Sequence, residues 1–524
     1  MPFYFMGFRQ KIIEYYGLSE EQYKELTKPV EELELPDFNA LPDMAKIKER
    51  IFKAIKNQEK IIIYGDYDCD GFCSTAIMVK TFEKLGYKVS FYIPTRYVDG
   101  YAINVDNVIK MKNAGFSLII TVDNGISANE AIDKANELGI DVIVTDHHEL
   151  GEKMVNAYGI IHHTVSAIPG AKGCGAFMAL LVSAALLGSY DPYLVTLAGI
   201  ATVGDLMELR DYNRNVVRIS LDNLNKNKYK QIMALTNAKT INEKTYGFDI
   251  SSKVNSVGRL VEDRTINHVV KLFISEDNDE IFRIASWIKN CYELRKTLTA
   301  EAIDSLPDDL SNEDGIVLKL DVKEGLLGLI ATNLLGDYSV PVCLLAKDSK
   351  DESLLTGSMR SKEGFNLQKA LESLKKYSVK SGGHDFSGGI TIRAEDFDDF
   401  KKDFIELCKQ YKIIEQDEQT IEISLRDINF VNYNILREFS PFWTGFEDPL
   451  FVIKDLPTKQ LKFISYGKHL STQISINSKL LGFNMPESEI KSHLAIDVFG
   501  SLLESEYMGK VTIEFRISDY ITKG

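Results

Sequence analysis

The chain has 524 residues, of which 44% are hydrophobic and 26% charged, with a formal net charge of −15; it is too long for one hydrophobic core and suggests about three domains. Its longest largely apolar run, Phe177 to Leu187, has eleven residues including Ser183 against the ~20 needed to cross a bilayer, so no membrane span is expected. The acidic balance argues against wholesale coating of a nucleic acid, although a carboxylate metal cage adds negative charge that cations neutralise, and a basic groove can be local.

The opening MPFYFMGFRQK is apolar first and charged afterwards, the reverse of a secretory signal, which points to a cytoplasmic protein. Six cysteines (Cys69, Cys73, Cys174, Cys291, Cys343, Cys408) lack paired close spacings and read as reduced structural thiols. After a segment of residues 1–45, short β-branched runs alternate with helical patterns from 46 to 218. The runs are KIIIY (60–64), VSFYI (89–93), SLIITV (117–122), DVIVT (141–145) and VNAYGII (155–161). Segments such as STAIMVKTFEKLG and SANEAIDKANELG carry apolar residues at helical spacing and stop at glycine. This alternation predicts a parallel sheet covered by helices.

Residues 219–306 read as a helical connector ending in the long helix IFRIASWIKNCYELRKTLTAEAIDSL. A second mixed α/β unit is expected over 307–410, with strands near GIVLKL, VPVCLLA, LLTGSMR and GGITIRA. From 411 to 524 short strands joined by turns predict an all-β module, a small barrel of the oligonucleotide-binding kind.

Ligands of an open parallel sheet bind beyond the carboxyl ends of its strands, so acids placed there converge from distant positions. Asp66, Asp68 and Asp70 follow KIIIY, Asp123 follows SLIITV, Asp146-His147-His148 follow DVIVT, and Asp205 follows an apolar helix. Taken singly, an Asp after a strand is more often a helix cap. The first cluster has two competing readings. As a calcium loop it would place Ile77 where a bidentate glutamate is required; as an aspartyl-phosphatase loop it leaves the other acids without a use. Together the carboxylates and imidazoles make a ligand set suited to Mn2+ or Mg2+, and two such ions sharing a carboxylate would make a hydrolytic phosphoesterase.

The ordered set DYDCDG, TVDNGI, TDHH and GDLMEL resembles the DHH phosphoesterases. The resemblance implies two metal ions held by Asp68, Asp70, Asp123, His147 and Asp205, with Asp123 as the bridge, Asp66 as a further ligand or its supporting partner, and His148 facing the scissile phosphate. IPTRYVDGYAI, SKVNSVGRL, EGLLGLIATNLL, GSMRSKEGFNLQKAL and SGGHDFSGGITI are similar to the RecJ branch of that family. They imply that Arg96, Arg259, Ser358 and Arg360 bind substrate phosphate at the 5′ end, and that His384 of the Gly-Gly-His element closes over the site. The chain departs from the pattern at Ala102, where glycine is expected, and in the segment after IIHH. The pair His162-His163 reads as polar loop residues without a role.

The architecture implied is an α/β protein: a parallel-sheet catalytic domain, a long connecting helix, a second mixed α/β domain bearing Gly-Gly-His and a C-terminal OB-like domain. The activity implied is metal-dependent 5′→3′ hydrolysis of single-stranded DNA to 5′-mononucleotides in recombination and repair, by a monomer, with a helicase and a single-strand-binding protein as partners to be sought. The alternatives are a short-oligonucleotide or cyclic-dinucleotide phosphodiesterase, and a non-catalytic replication or repair scaffold.

Overall fold

In the computed structural model, which describes residues 7–168, 172–307, 310, 314–411, 419–507 and 509–523, the β-branched runs between Lys60 and Ile161 form one parallel sheet. Its strands are β1 (Lys60–Tyr64), β2 (Ser90–Tyr92), β3 (Phe116–Val122), β4 (Asp141–Thr145) and β5 (Gly159–Ile161), in the order β2-β1-β3-β4-β5. The central strands are buried almost throughout, as expected when helices cover both faces. Val108, Met111, Ile132 and Ala135 of helices Val105–Asn113 and Asn129–Glu137 pack on Ile62, Ile119, Val142 and Val144. On the other face lie α1 (Cys69–Lys84) and α2 (Gly175–Leu187). The run expected to be a strand over 155–161 forms only its last three residues.

The strand order reverses at β1, with β2 on one side and β3 on the other. A crevice therefore opens between the carboxyl ends of β1 and β3, the usual ligand position of open parallel sheets. Asn124 closes its floor by donating to the carbonyls of Tyr64, Gly65 and Val122. Helix α3 (Pro192–Gly204), capped by Asp191, crosses nearby and delivers Asp205 at its C-terminal end.

A π-helical turn at Thr245–Ser251 leads into α4 (Ser252–Leu260), and Asp277 caps the 27-residue α5 (Asn278–Asp304), the long helix foreseen in the sequence. The second sheet contains β6 (Ile316–Lys319), β7 (Val342–Lys347), β8 (Leu354–Arg360), β9 (Ser378–Gly383) and β10 (Ser387–Arg393), in the order β6-β7-β8-β10-β9. Helix α6 (Glu324–Tyr338) packs on β7 and β8. Strand β9 has no apolar alternation, because this edge strand is exposed along most of its length; its pairing to β10 is made by backbone.

The chain divides into two compact units, Glu34–Glu415 and the described residues of Met1–Leu33 with Gln416–Gly524. The second contains a seven-stranded sheet made of β11 (Ile421–Glu422), β12 (Phe451–Pro457), β13 (Phe463–Ile464), β14 (His469–Ser475), β15 (Ser478–Gly482), β16 (Ala495–Tyr507) and β17 (Lys510–Lys523). Phe8 and Ile12 of helix Phe8–Tyr15 enter its core beside Phe451 and Phe515. All six cysteines are free, and among the described residues no helix is long and apolar enough to cross a membrane.

Candidate metal centre and phosphate cleft

The loop after β1 turns sharply because Asp68 caps α1, its Oδ1 accepting the Gly71 amide at 3.0 Å. A side chain at Gly71 would collide with the Asp66 backbone, so glycine is required there. Asp70, two residues after Asp68, is gripped by the start of α2: its two carboxylate oxygens accept the amides of Gly175 and Ala176 at 2.6 and 2.7 Å. Asp123 sits just past β3 with φ +61°, a left-handed conformation that asparagine and aspartate tolerate better than other side chains. The Gly175 Cα lies so close that an added Cβ would come within 2.5 Å of the Asp123 Cβ.

These acids converge with the DHH loop. His147 Nε2 lies 3.2 Å from Asp123 Oδ1 and 3.6 Å from both Asp70 Oδ2 and Asp205 Oδ2. Three groups of donor atoms fall within 4.8 Å of one another: Asp70, His147 and Asp205; Asp66, Asp68 and Asp123; and Asp123, His147 and His148. Asp123 and His147 are each shared between two groups. Asp66 Oδ1 and Asp123 Oδ1 are buried without a hydrogen-bond partner. Burial, then the neighbouring Asp68, pushes the Asp66 carboxyl up to about 8. Burial, then Asp70, pushes Asp68, Asp123 and Asp205 above the usual carboxylate range. Buried carboxylates this close are unfavourable as ions unless a cation joins them.

Asp146 is the organiser of this loop. Its Oδ1 lies 2.7 Å from His148 Nδ1 and accepts the amides of His147 and His148, while Oδ2 accepts the Ile126 amide. Burial opposes its charge, yet the His148 contact holds it down at about 2. Reciprocally, burial works against the His148 cation but the Asp146 hydrogen bond raises it to about 9. Nδ1 is thus committed to Asp146, leaving Nε2 free.

The sequence left the pair His162-His163 without a role as polar loop residues, whereas the structure buries His162 beneath the DHH loop, 1% exposed. Its Nδ1 accepts the Thr164 amide at 3.2 Å, so Nε2 is the donor to the His148 carbonyl at 2.8 Å. No motif signalled this contact, since it joins residues that follow different strands.

A basic cleft adjoins the metal centre. Arg96 stacks over Tyr67 at 4.6 Å, and its Nε is buried without a partner. Arg259, at the end of α4, donates to the Gly325 carbonyl at 3.0 Å. Burial, then the charge of Arg96, brings the Arg259 guanidinium down to about 10. Arg360 donates to Ser358 Oγ and to the Met359 carbonyl. Arg96, Arg259, Ser358 and Arg360 line one cavity of about 670 Å³. Unneutralised guanidiniums so placed form an anion site suited to phosphate. His384 does not line this cavity; its Nδ1 lies 3.2 Å from Glu149 Oε1, just after the DHH triplet. Ala102, where the family pattern has glycine, adopts φ +62°, which explains why glycine suits the position.

Gly328 of α6 lies against the cleft, where an added Cβ would sit 2.9 Å from Arg360 Nη2 and 3.2 Å from Ser358 Oγ. Gly328→Ala is therefore expected to displace the Arg360 fork and weaken binding of inorganic phosphate in this cleft about tenfold, the loss of one charge-assisted hydrogen bond. Calorimetric titration of phosphate into the wild type and the variant checks this, and equal affinities would contradict it.

Comparison with known proteins identifies relatives of each part of the chain. Residues 60–204 match the DHH family N-terminal domain, residues 300–410 the DHHA1 domain and residues 420–519 the RecJ OB domain. The chain is 32% identical over 505 residues to the single-stranded-DNA-specific exonuclease RecJ of Bacillus subtilis, covering 91% of this chain and 63% of that protein; it thus spans less than two thirds of that relative's length. It is 25% identical over 481 residues to the RecJ of Thermus thermophilus, covering 89% of this chain and 69% of that one. The crystal structure of Thermus thermophilus RecJ in complex with Mn2+ superposes with a TM-score of 0.85 at 22% identity, covering 99% of this chain and 76% of that one. Three domain matches in the same order, on a fold that gathers the acids of all four motifs into one crevice, place this chain in the RecJ branch of the DHH family.

Proposed function

We propose that this chain is a two-metal phosphodiesterase acting as a 5′→3′ exonuclease on single-stranded DNA, releasing 5′-mononucleotides in recombination and repair. The observation that carries the proposal is that Asp123 joins Asp66 and Asp68 in one donor group while its Oδ1 lies 3.2 Å from His147 Nε2, which belongs to the group with Asp70 and Asp205. The residues fit divalent cations: buried carboxylate oxygens lack hydrogen bonds, and an oxygen-rich set with imidazole suits Mn2+ or Mg2+. One relative of known structure, the RecJ of Thermus thermophilus, is named in complex with each of these ions.

Asp70, His147 and Asp205 would hold one ion and Asp66 and Asp68 the other, with Asp123 between them. When bound, the pair supplies activation of a water and neutralisation of charge on the phosphoryl oxygens. The chain's own side chains do the rest. Asp146 fixes the His148 ring, so that Nε2 can donate to a phosphate oxygen. Arg96, Arg259, Ser358 and Arg360 hold the 5′-terminal phosphate, which sets the first internucleotide linkage over the crevice and gives the enzyme its polarity. His384 approaches from the second sheet at the Glu149 side. In the C-terminal module Phe483, exposed beside His469 and Arg516, offers a surface on which a base can stack.

Single-stranded DNA is the proposed substrate and partner, a helicase and a single-strand-binding protein are the proteins to test alongside it, and the cytoplasm is the proposed compartment. Long single strands labelled at either end decide the activity. With Mn2+ the 5′ label is expected to leave at once as a mononucleotide while 3′-labelled strands shorten progressively, and EDTA is expected to stop both. Cleavage confined to di- and trinucleotides would replace this reading with that of a short-oligonucleotide enzyme.

A further inference from the structure

We infer that the phosphate cleft continues beyond the monophosphate clamp into a polyphosphate subsite, so that strands bearing a 5′-triphosphate are substrates and lose their first residue as an intact nucleoside triphosphate. The inference rests on the exonuclease reading above.

Side chains on alternate positions of β8, β10 and β9 share one face of the second sheet. The strand register sets them in three rows: Arg360 with Ser387; Ser358 with Gly389 and Gly382; Thr356 with Thr391 and Lys380. The β9–β10 turn carries His384, which meets Glu149 beside the DHH triplet, so the first row is the one nearest the metal centre. At about 3.4 Å per residue, the third row lies roughly 7 Å beyond Ser358, away from the metals. That direction is where the β and γ phosphates of a triphosphorylated end would extend once the clamp holds the α phosphate.

The same cavity that holds Arg96, Arg259, Ser358 and Arg360 is lined at this far end by Lys350, Thr391 and Lys380. At about 670 Å³ it is far larger than one phosphate group. Its floor stays clear, because nothing lies within 4 Å of where a Cβ on Gly382 would stand. Lys350 reaches in from the β7–β8 turn, its Nζ 3.7 Å from the Cβ position of Gly100. Two carboxylates also line the cavity. Asp348 already accepts the Thr356 hydroxyl at 2.6 Å and the amides of Lys350 and Asp351 at 2.9 and 3.2 Å. Burial, then Asp348, pushes Glu324 upward and so disfavours its charge. Burial opposes the Asp348 charge, yet the Thr356 hydrogen bond keeps it below the usual carboxylate range, and that charge faces Lys350; Lys380 is then the cationic group that a polyphosphate would meet.

The chemistry is the same hydrolysis. Water adds to the phosphorus of the first internucleotide linkage, the bond to the 3′ oxygen breaks, and that oxygen takes a proton. The phosphate stays on the second nucleotide as a 5′-monophosphate, and both anhydride bonds of the triphosphate remain intact. Only the first cut uses the subsite.

A single strand with a γ-labelled 5′-triphosphate, compared with its 5′-monophosphate counterpart, tests this in Mn2+. The label is expected to appear in nucleoside triphosphate. Lys380→Ala combined with Thr391→Val is expected to slow the first cut of the triphosphate strand about tenfold, the loss of one hydrogen bond to a charged group, while leaving the monophosphate strand unaffected. Label released as inorganic phosphate or pyrophosphate, a triphosphate strand left intact while the monophosphate strand is degraded, or equal slowing of both would each overturn the inference. If neither strand is cut, the exonuclease reading fails on its own, and equilibrium binding in EDTA then decides the subsite: the wild type is expected to hold the triphosphate strand about tenfold more tightly than the double variant, and equal affinity overturns it.

Discussion

Asp123→Asn is expected to lose about 10³-fold in kcat, more than the 10–100-fold typical of residues that only support a metal ligand. It is also expected to be a more stable protein than the wild type when both are free of metal. The second effect separates a metal cage from a structural cluster. Asp123 is 1% exposed and surrounded by Asp66, Asp68, Asp70 and Asp205, so removing its charge relieves repulsion by on the order of 1–3 kcal/mol. Asparagine keeps both the shape and the tolerance for φ +61°, so the backbone has no reason to move. Adding Mn2+ at a hundred times its Kd would stabilise the wild type by about 2.7 kcal/mol and the variant by less. Thermal unfolding in EDTA and in Mn2+, together with nuclease assays, measures all three. Normal turnover by Asp123→Asn would refute the bridging role.

Asp146→Asn should cost about 10²-fold in activity although Asp146 is assigned no contact with metal or substrate. Its carboxylate accepts three backbone amides and faces His148 Nδ1. An amide side chain has only one accepting oxygen, so its NH₂ must oppose at least one of these donors, which destabilises the loop by about 1–3 kcal/mol. The His148 ring then loses the partner that fixes its orientation. The expected pattern is a fall in kcat with Mn2+ affinity weakened as well, read from metal titrations at saturating DNA. Wild-type kcat in a folded Asp146→Asn protein would show that the His148 orientation does not matter.

The sequence alone determined the parallel sheet and the position of Asp66, Asp123 and Asp146 just past its strands. KIIIY and DVIVT are strands at the positions read from the sequence, because strands buried on both faces are continuous β-branched runs with little ambiguity. The motifs after them were legible for the same reason: a short polar turn after such a run is forced to the sheet's carboxyl edge. The sequence did not reveal β9, whose pairing is made by backbone while its side chains face outward. It also gave no sign that His162 supports His148, that Gly328 packs against Arg360, or that two amides of α2 hold Asp70. Those contacts join elements far apart along the chain, and no local propensity encodes them. What tertiary structure decided was therefore the distances: which acids come within reach of one another, which guanidiniums share a cavity, and which side chains are held still by hydrogen bonds that only the closed fold can supply.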